Sequence, residues 1–110
     1  NYGWSKLGGE CITQLISESL ILRCSLCDIP FRHKGAFDNI YRTSIRHRDA
    51  AKLILKVKDQ HGIINIGGPK QTVYDFVRNY QEIESVTYKG ISSQVTSIKL
   101  NTTKLTNLNK

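Results

Sequence analysis

No apolar run in this chain approaches the roughly 20 residues needed to cross a bilayer, and nothing in it resembles a secretory signal. A membrane partner is therefore not expected. Cysteine is scarce as well: Cys11, Cys24 and Cys27 are an odd number, which gives no disulfide framework and points to a reducing, cytoplasmic setting. Acidic side chains are the minority, 9 against 16 Lys and Arg, which leaves a formal charge of +7. Such a balance suits a nucleic-acid binder only where the basic residues accompany a recognition element, and none of the known signatures is present. Arg32, His33, Lys34, Arg42, Arg46, His47 and Arg48 make the middle third basic. They read as a solvated surface or the edge of a phosphate-facing pocket, and no nucleic-acid partner is expected. Neither Gly-x-Gly-x-x-Gly nor a Walker lysine context occurs. Cys24-Ser25-Leu26-Cys27 has the spacing of half a zinc site or a redox pair. It lacks a second ligand pair and a helix start to lower a thiol pKa, so no metal is expected and buried thiols at the end of a strand are.

What is present is the composition of a folded body. The hydrophobic set makes up 39% and charged residues 23%, and 110 residues suffice for one core but not for two independent ones. Residues 2 to about 18 carry Leu7, Cys11 and Leu15 in one helical row with Ile12 and Ile16 beside it, which predicts an amphipathic helix. Gly8-Gly9 inside it is costly, and close approach of a neighbouring backbone is the compensating reason expected. Leu20-Ile21-Leu22 reads as a buried strand covered on both faces, as in parallel sheets, so the order of elements predicts an α/β fold.

From Cys24 to about Ile40 periodicity is lost, and Pro30 and Gly35 mark an irregular segment of the length that tends to be functional. Residues 43–47 read as extended or turn-like, leading into a helix over 49–58 with Ala50, Leu53, Ile54 and Val57 on its apolar stripe, closed by His61-Gly62. Residues 62–68 predict a short strand running into a glycine turn. Gly67-Gly68 could offer amides to an anion, but a turn needing positive φ is the expected reason for the glycines. Thr72 and Asp75 have capping-box spacing for a helix over 73–80. A strand is expected over 85–88, a polar stretch over 90–97, and a final short helix with Thr102 as cap and Leu105 and Leu108 on one face.

The sharpest chemical signal is Tyr2-Gly3-Trp4-Ser5-Lys6. Four-residue spacing puts the phenol and the ammonium on one helical face. A nearby cation favours a phenolate, which lets a tyrosine exchange a proton with a substrate hydroxyl or carbonyl near neutral pH.

With Tyr2-Gly3-Trp4-Ser5-Lys6-Leu7-Gly8-Gly9-Glu10, Leu20-Ile21-Leu22-Arg23, Arg46-His47-Arg48-Asp49-Ala50-Ala51, Gly62-Ile63-Ile64-Asn65-Ile66-Gly67-Gly68 and Leu100-Asn101-Thr102-Thr103-Lys104-Leu105 in this order, the chain resembles the C-terminal part of an extended short-chain dehydrogenase/reductase. Within that superfamily it is most similar to the dTDP-4-dehydrorhamnose reductase group of nucleotide-sugar enzymes. The resemblance implies an incomplete α/β fold. Residues 1–27 would be the last helix and strand of a Rossmann-type NAD(P)-binding domain, and 28–110 mainly a small substrate domain, with 62–68 returning as a strand to the Rossmann sheet.

The resemblance further implies an oxidoreductase that reduces a 4-keto sugar with NADPH or NADH. Tyr2 would be the general acid, Lys6 would hold the nicotinamide ribose, and Arg23 and Ser25 are candidates to touch the substrate. A nucleotide-sugar 4-epimerase or 4,6-dehydratase is the alternative within the superfamily, and a non-catalytic nucleotide-binding regulatory subunit the alternative outside enzymes. A homodimer of the full-length protein is also implied. Family members carry a glycine-rich dinucleotide turn after their first strand and a serine or threonine upstream of the tyrosine, so this chain is expected to be a fragment. Cys24-Ser25-Leu26 stands where a Thr-Ser-Trp type of sequence belongs, which leaves the sugar open. Strands lacking their parallel neighbours should expose apolar faces, so the isolated polypeptide is expected to be poorly soluble or marginally stable.

Overall fold

A computed structural model describes residues 1–90, 101 and 103–108. In chain order the elements are α1 (Tyr2–Gln14), β1 (Leu20–Cys24), β2 (Gly35–Phe37), β3 (Tyr41–Arg42), α2 (His47–Val57), β4 (Gly62–Ile66), β5 (Gln71–Thr72), α3 (Val73–Arg78), β6 (Glu84–Val86) and α4 (Thr103–Leu108). The strands form three two-stranded ladders: β1 with β4 and β2 with β6 in parallel, β3 with β5 antiparallel. The protein is thus a small mixture of helix and strand, and no full Rossmann-type sheet is identifiable among the described residues.

The longest ladder runs from Leu20 opposite Gly62 to Cys24 opposite Ile66. It forms because two short apolar runs, Leu20-Ile21-Leu22 and Ile63-Ile64, can bury against each other and against α2. Ile64 and Ile66 are fully buried and pack with Ile45, Ala50, Val57 and Leu105, and Leu20, Leu22 and Leu53 close the edges of that core. A second core gathers Ala36, Phe76 and Val77 with Ile29, Phe31 and Ile83 around α3. Of the predicted stripe of α2, Ala50 and Val57 are buried and Leu53 and Ile54 half-buried. Thr72 behaves as read: its hydroxyl accepts the Asp75 amide at 3.0 Å and caps α3. Thr72→Ala should lower stability by about 1 kcal/mol, checked by urea titration with an unchanged slope. The polar stretch expected over 90–97, apart from Gly90, and the Thr102 cap lie outside the described residues.

The structure departs from the periodicity in four places. α1 stops at Gln14 rather than near residue 18, because its last turn tightens, Leu15 N bonding Ile12 O and Ile16 N bonding Thr13 O at 3.1 Å, and Glu18 then adopts φ 63°. Gly62 does not close α2. The helix ends at Val57, and Gly62, at φ 91°, turns the chain into β4, where its amide donates to Ser19 O at 2.9 Å. The irregular segment holds a strand, β2, too short for periodicity to reveal. Nothing lies within 4 Å of a side chain built at Gly8 or Gly9, so no close backbone approach accounts for them among the described residues.

α1 also buries none of its side chains: Trp4 is 77% exposed and Leu15 84%, with Leu7, Ile12 and Ile16 exposed as well. β1 has one hydrogen-bonded neighbour among the described residues, β4.

Candidate functional site

Helix α1 leads through residues 15–19 into β1, and a side-chain fork ties the middle of the helix to the carboxyl end of the strand. One contact fixes their alignment. Arg23, next to last in β1, donates from Nε to Glu10 Oε2 at 2.9 Å and from Nη2 to Glu10 Oε1 at 2.6 Å. This is a two-pronged fork in which both planar groups are constrained. It lowers the Glu10 carboxyl below its ordinary value of 4.5, first by the hydrogen bonds from Arg23 and further by that residue's charge. The Arg23 guanidinium is raised for the same reasons.

Tyr2 and Lys6 continue the same helix row beyond Glu10. Residues four apart drift by only about 40° around a helix and rise about 6 Å. Lys6 is thus one step and Tyr2 two steps from the fork toward the N-terminus of α1. The Lys6 ammonium lies 5.4 Å from the centre of the Tyr2 ring. Tyr2 is 77% exposed, and its hydroxyl has no hydrogen-bond partner among the described residues. The structure therefore brings the two predicted catalytic side chains together on an open surface. Trp4, Leu7, Cys11 and Leu15 occupy the opposite side of the helix.

At the carboxyl ends of the ladder three segments converge. Ser25 N donates to Ile66 O, Ile45 N to Ser25 O and Cys27 N to Ile45 O, each at 3.0 Å. The chain from Cys24 to Cys27 is thus extended, and an odd spacing of three puts the two thiols on opposite faces. Their Cα atoms are about 10 Å apart at strand rise, beyond disulfide reach. Cys24 is exposed rather than buried, and Cys27 is half-buried in the second core. Desolvation pushes both thiols up, helped at Cys27 by Asp28, the opposite of what a reactive thiolate requires. Among the described residues no three metal-ligating side chains come together.

The Gly67-Gly68 turn has a different basis from the one its sequence predicts. Neither glycine has positive φ. A Cβ on Gly67 would lie 2.8 Å from Thr43 O, and one on Gly68 2.7 Å from Ser44 O. The glycines let the chain leave β4 against the backbone of residues 43–44. Gly68 N already donates to Thr43 O at 2.9 Å, and the carbonyl oxygens pressed on the turn repel an anion, so this is not a phosphate cradle.

Of the two candidate substrate residues, Ser25 sits at the carboxyl end of β1 with both backbone groups engaged, and Arg23 is held by Glu10. Sequence reasoning missed Glu10 as a functional residue, although its place four residues after Lys6 was visible. Three residues of the basic middle third, Arg32, Arg46 and His47, face carboxylates. Asp28 accepts from Arg32 at 2.6 Å and faces His47 at 3.2 Å, and Arg46 forks onto Asp49 while its guanidinium lies 4.2 Å from the Tyr80 ring centre.

Carboxylates hold several of these ties. Hydrogen bonds from Ser85 and Thr87 lower the Asp38 carboxyl, and those from Arg46 lower Asp49. Depressed carboxylates contribute stability that is present above their unfolded values and lost as pH falls through the folded ones. The fold should therefore loosen below the ordinary carboxylate values of 3.8 and 4.5 and show no comparable loss between neutral pH and that range, as circular dichroism against pH would record.

No helix among the described residues is long and apolar enough to cross a membrane. The chain matches no protein-family model, no curated protein and no solved structure.

Proposed function

We propose that this chain is the proton-donor portion of an NAD(P)-dependent oxidoreductase that reduces a 4-keto nucleotide sugar, belonging with the extended short-chain dehydrogenases/reductases. The observation that carries this reading is the Lys6 ammonium 5.4 Å from the centre of the exposed Tyr2 ring, on a helix that the Glu10–Arg23 fork ties to the carboxyl end of a strand in a parallel pair. Ligands of open α/β sheets bind at that end. Support also comes from the order of motifs along the whole chain.

The residues present fit one end of a nicotinamide cofactor only. Lys6 would bond the ribose beside the nicotinamide, while the described residues offer no cradle for the pyrophosphate, the Gly67-Gly68 turn being closed by carbonyl oxygens. When bound, NADPH or NADH supplies the hydride. The remaining steps belong to this chain. The Tyr2 hydroxyl donates a hydrogen bond to the substrate carbonyl oxygen and passes it the proton, which leaves an alcohol and a tyrosinate. The Lys6 ammonium stabilises the negative charge left on Tyr2. Ser25, just past the end of β1, would meet the sugar.

In this reading residues 1–27 belong to the nucleotide-binding domain, 28–110 mainly to the substrate domain, and the full-length protein is a cytoplasmic homodimer. The test is a nicotinamide-oxidation assay of the full-length protein against dTDP-linked 4-keto-6-deoxy sugars, with each cofactor in turn. Turnover with at least one pair is the expected result, and failure with all of them, by protein that is folded, contradicts the proposal. Product analysis separates reduction from epimerisation and dehydration.

A further inference from the structure

The row Tyr2, Lys6, Glu10 poses a problem of charge allocation. Glu10 lies four residues after Lys6, and a Lys–Glu pair at that spacing attracts across one helical turn. Left alone, Lys6 has two partners within reach: the Glu10 carboxylate on one side and the Tyr2 ring on the other. A full negative charge is the stronger attractor of an ammonium than a ring quadrupole. Yet among the described residues Lys6 makes no ion pair with Glu10 and lies over Tyr2 instead. Both Glu10 oxygens are taken by Arg23.

We propose that Arg23 is a positioning residue: by engaging both oxygens of Glu10 and pairing its charge, it releases Lys6 to Tyr2 and fixes the rotation of α1. Arginine suits both tasks. Its planar fork occupies the two carboxylate oxygens at once and sets an orientation, where a lysine would leave one oxygen for Lys6. The second task matters because α1 buries no side chain, so among the described residues no buried apolar contact sets its rotation. The fork lies on the same row as the catalytic pair, one helical step away, so what orients Glu10 also orients Lys6 and Tyr2. For its catalytic consequence this inference rests on the function proposed above, but the side-chain allocation itself is independent of it.

The experiment is an NMR comparison of the chain with its Arg23→Ala, Arg23→Lys and Arg23→Ala/Glu10→Ala variants. The signal is the upfield ring-current shift of the Lys6 ε-methylene protons, assigned through Lys6→Arg and Tyr2→Leu controls. Arg23→Ala should collapse that shift as Lys6 turns to Glu10, Arg23→Lys should reduce it partly, and the double variant should restore it, because the competing carboxylate is gone. A shift unchanged in Arg23→Ala overturns the proposal, and so does a double variant no better than the single one, which is the pattern of a plain structural tie. In the full-length enzyme the same order should appear in kcat with little change in KM. An absence of reductase activity would count against the proposed function while leaving the NMR result to decide the allocation.

Discussion

Tyr2→Phe should lower kcat for carbonyl reduction by a factor of about 10² to 10⁴, the usual contribution of a positioned proton donor. The substitution removes one oxygen from a side chain that is 77% exposed and whose hydroxyl makes no hydrogen bond among the described residues. Stability should stay within about 0.5 kcal/mol of the parent, and the loss should fall on kcat more than on KM, since the proton moves only as the carbonyl is reduced. Lys6→Met should follow the same pattern with an added rise in KM for the nicotinamide cofactor, because the proposed function gives Lys6 both the tyrosine and the ribose to serve. Steady-state kinetics of the two variants against both substrates checks this. Equal losses in kcat and in folding stability would instead assign the pair a packing role.

Gly68→Ala should destabilise the fold by about 1–3 kcal/mol, the range for forcing a group into filled space. The new methyl would lie 2.7 Å from Ser44 O, and that atom belongs to backbone, which cannot swing aside as a side-chain tip can. Ser44 is itself buried, next to Ile45, whose amide donates to Ser25 O. The strain would therefore pass directly into the junction where β1, β4 and residues 43–45 meet. Gly8→Ala offers the contrast, since it meets nothing within 4 Å and replaces a poor helix former with the best one. It should stabilise α1. Urea titrations of both variants read the two signs in one series.

The contrast between these glycines shows what a sequence reveals and what it withholds. Periodicity located α2 and β4, because a stripe of Ala50, Leu53 and Val57 or a run of Ile63 and Ile64 has one favourable burial. Thr72 and Asp75 were readable as a cap because the interaction is local. Gly67 and Gly68 were visible as a turn but not for their reason, since the carbonyls that crowd them come from more than twenty residues away in the chain. β2 was invisible for a related cause: three residues, Gly35–Phe37, pair with Glu84–Val86 across nearly fifty positions. At the site, the Tyr2–Lys6 pair was legible because its spacing is helical. Arg23 was noticed as a substrate candidate, but its fork with Glu10 joins two elements whose alignment only the fold establishes. Cys24 and Cys27 read as buried thiols at the end of a strand, whereas the fold leaves Cys24 exposed and Cys27 half-buried, because burial there depends on which segments cover the strand end.

The central claim is that Tyr2 delivers a proton to a sugar carbonyl as a nicotinamide delivers hydride. Its most direct test supplies the full-length protein with nicotinamide cofactor deuterated at the transferring carbon and a dTDP-linked 4-keto-6-deoxy sugar. The account predicts one deuterium on C4 of the product, formed at a rate that collapses in Tyr2→Phe. A product without deuterium at C4, or deuterium transfer that proceeds unchanged in Tyr2→Phe, would contradict it.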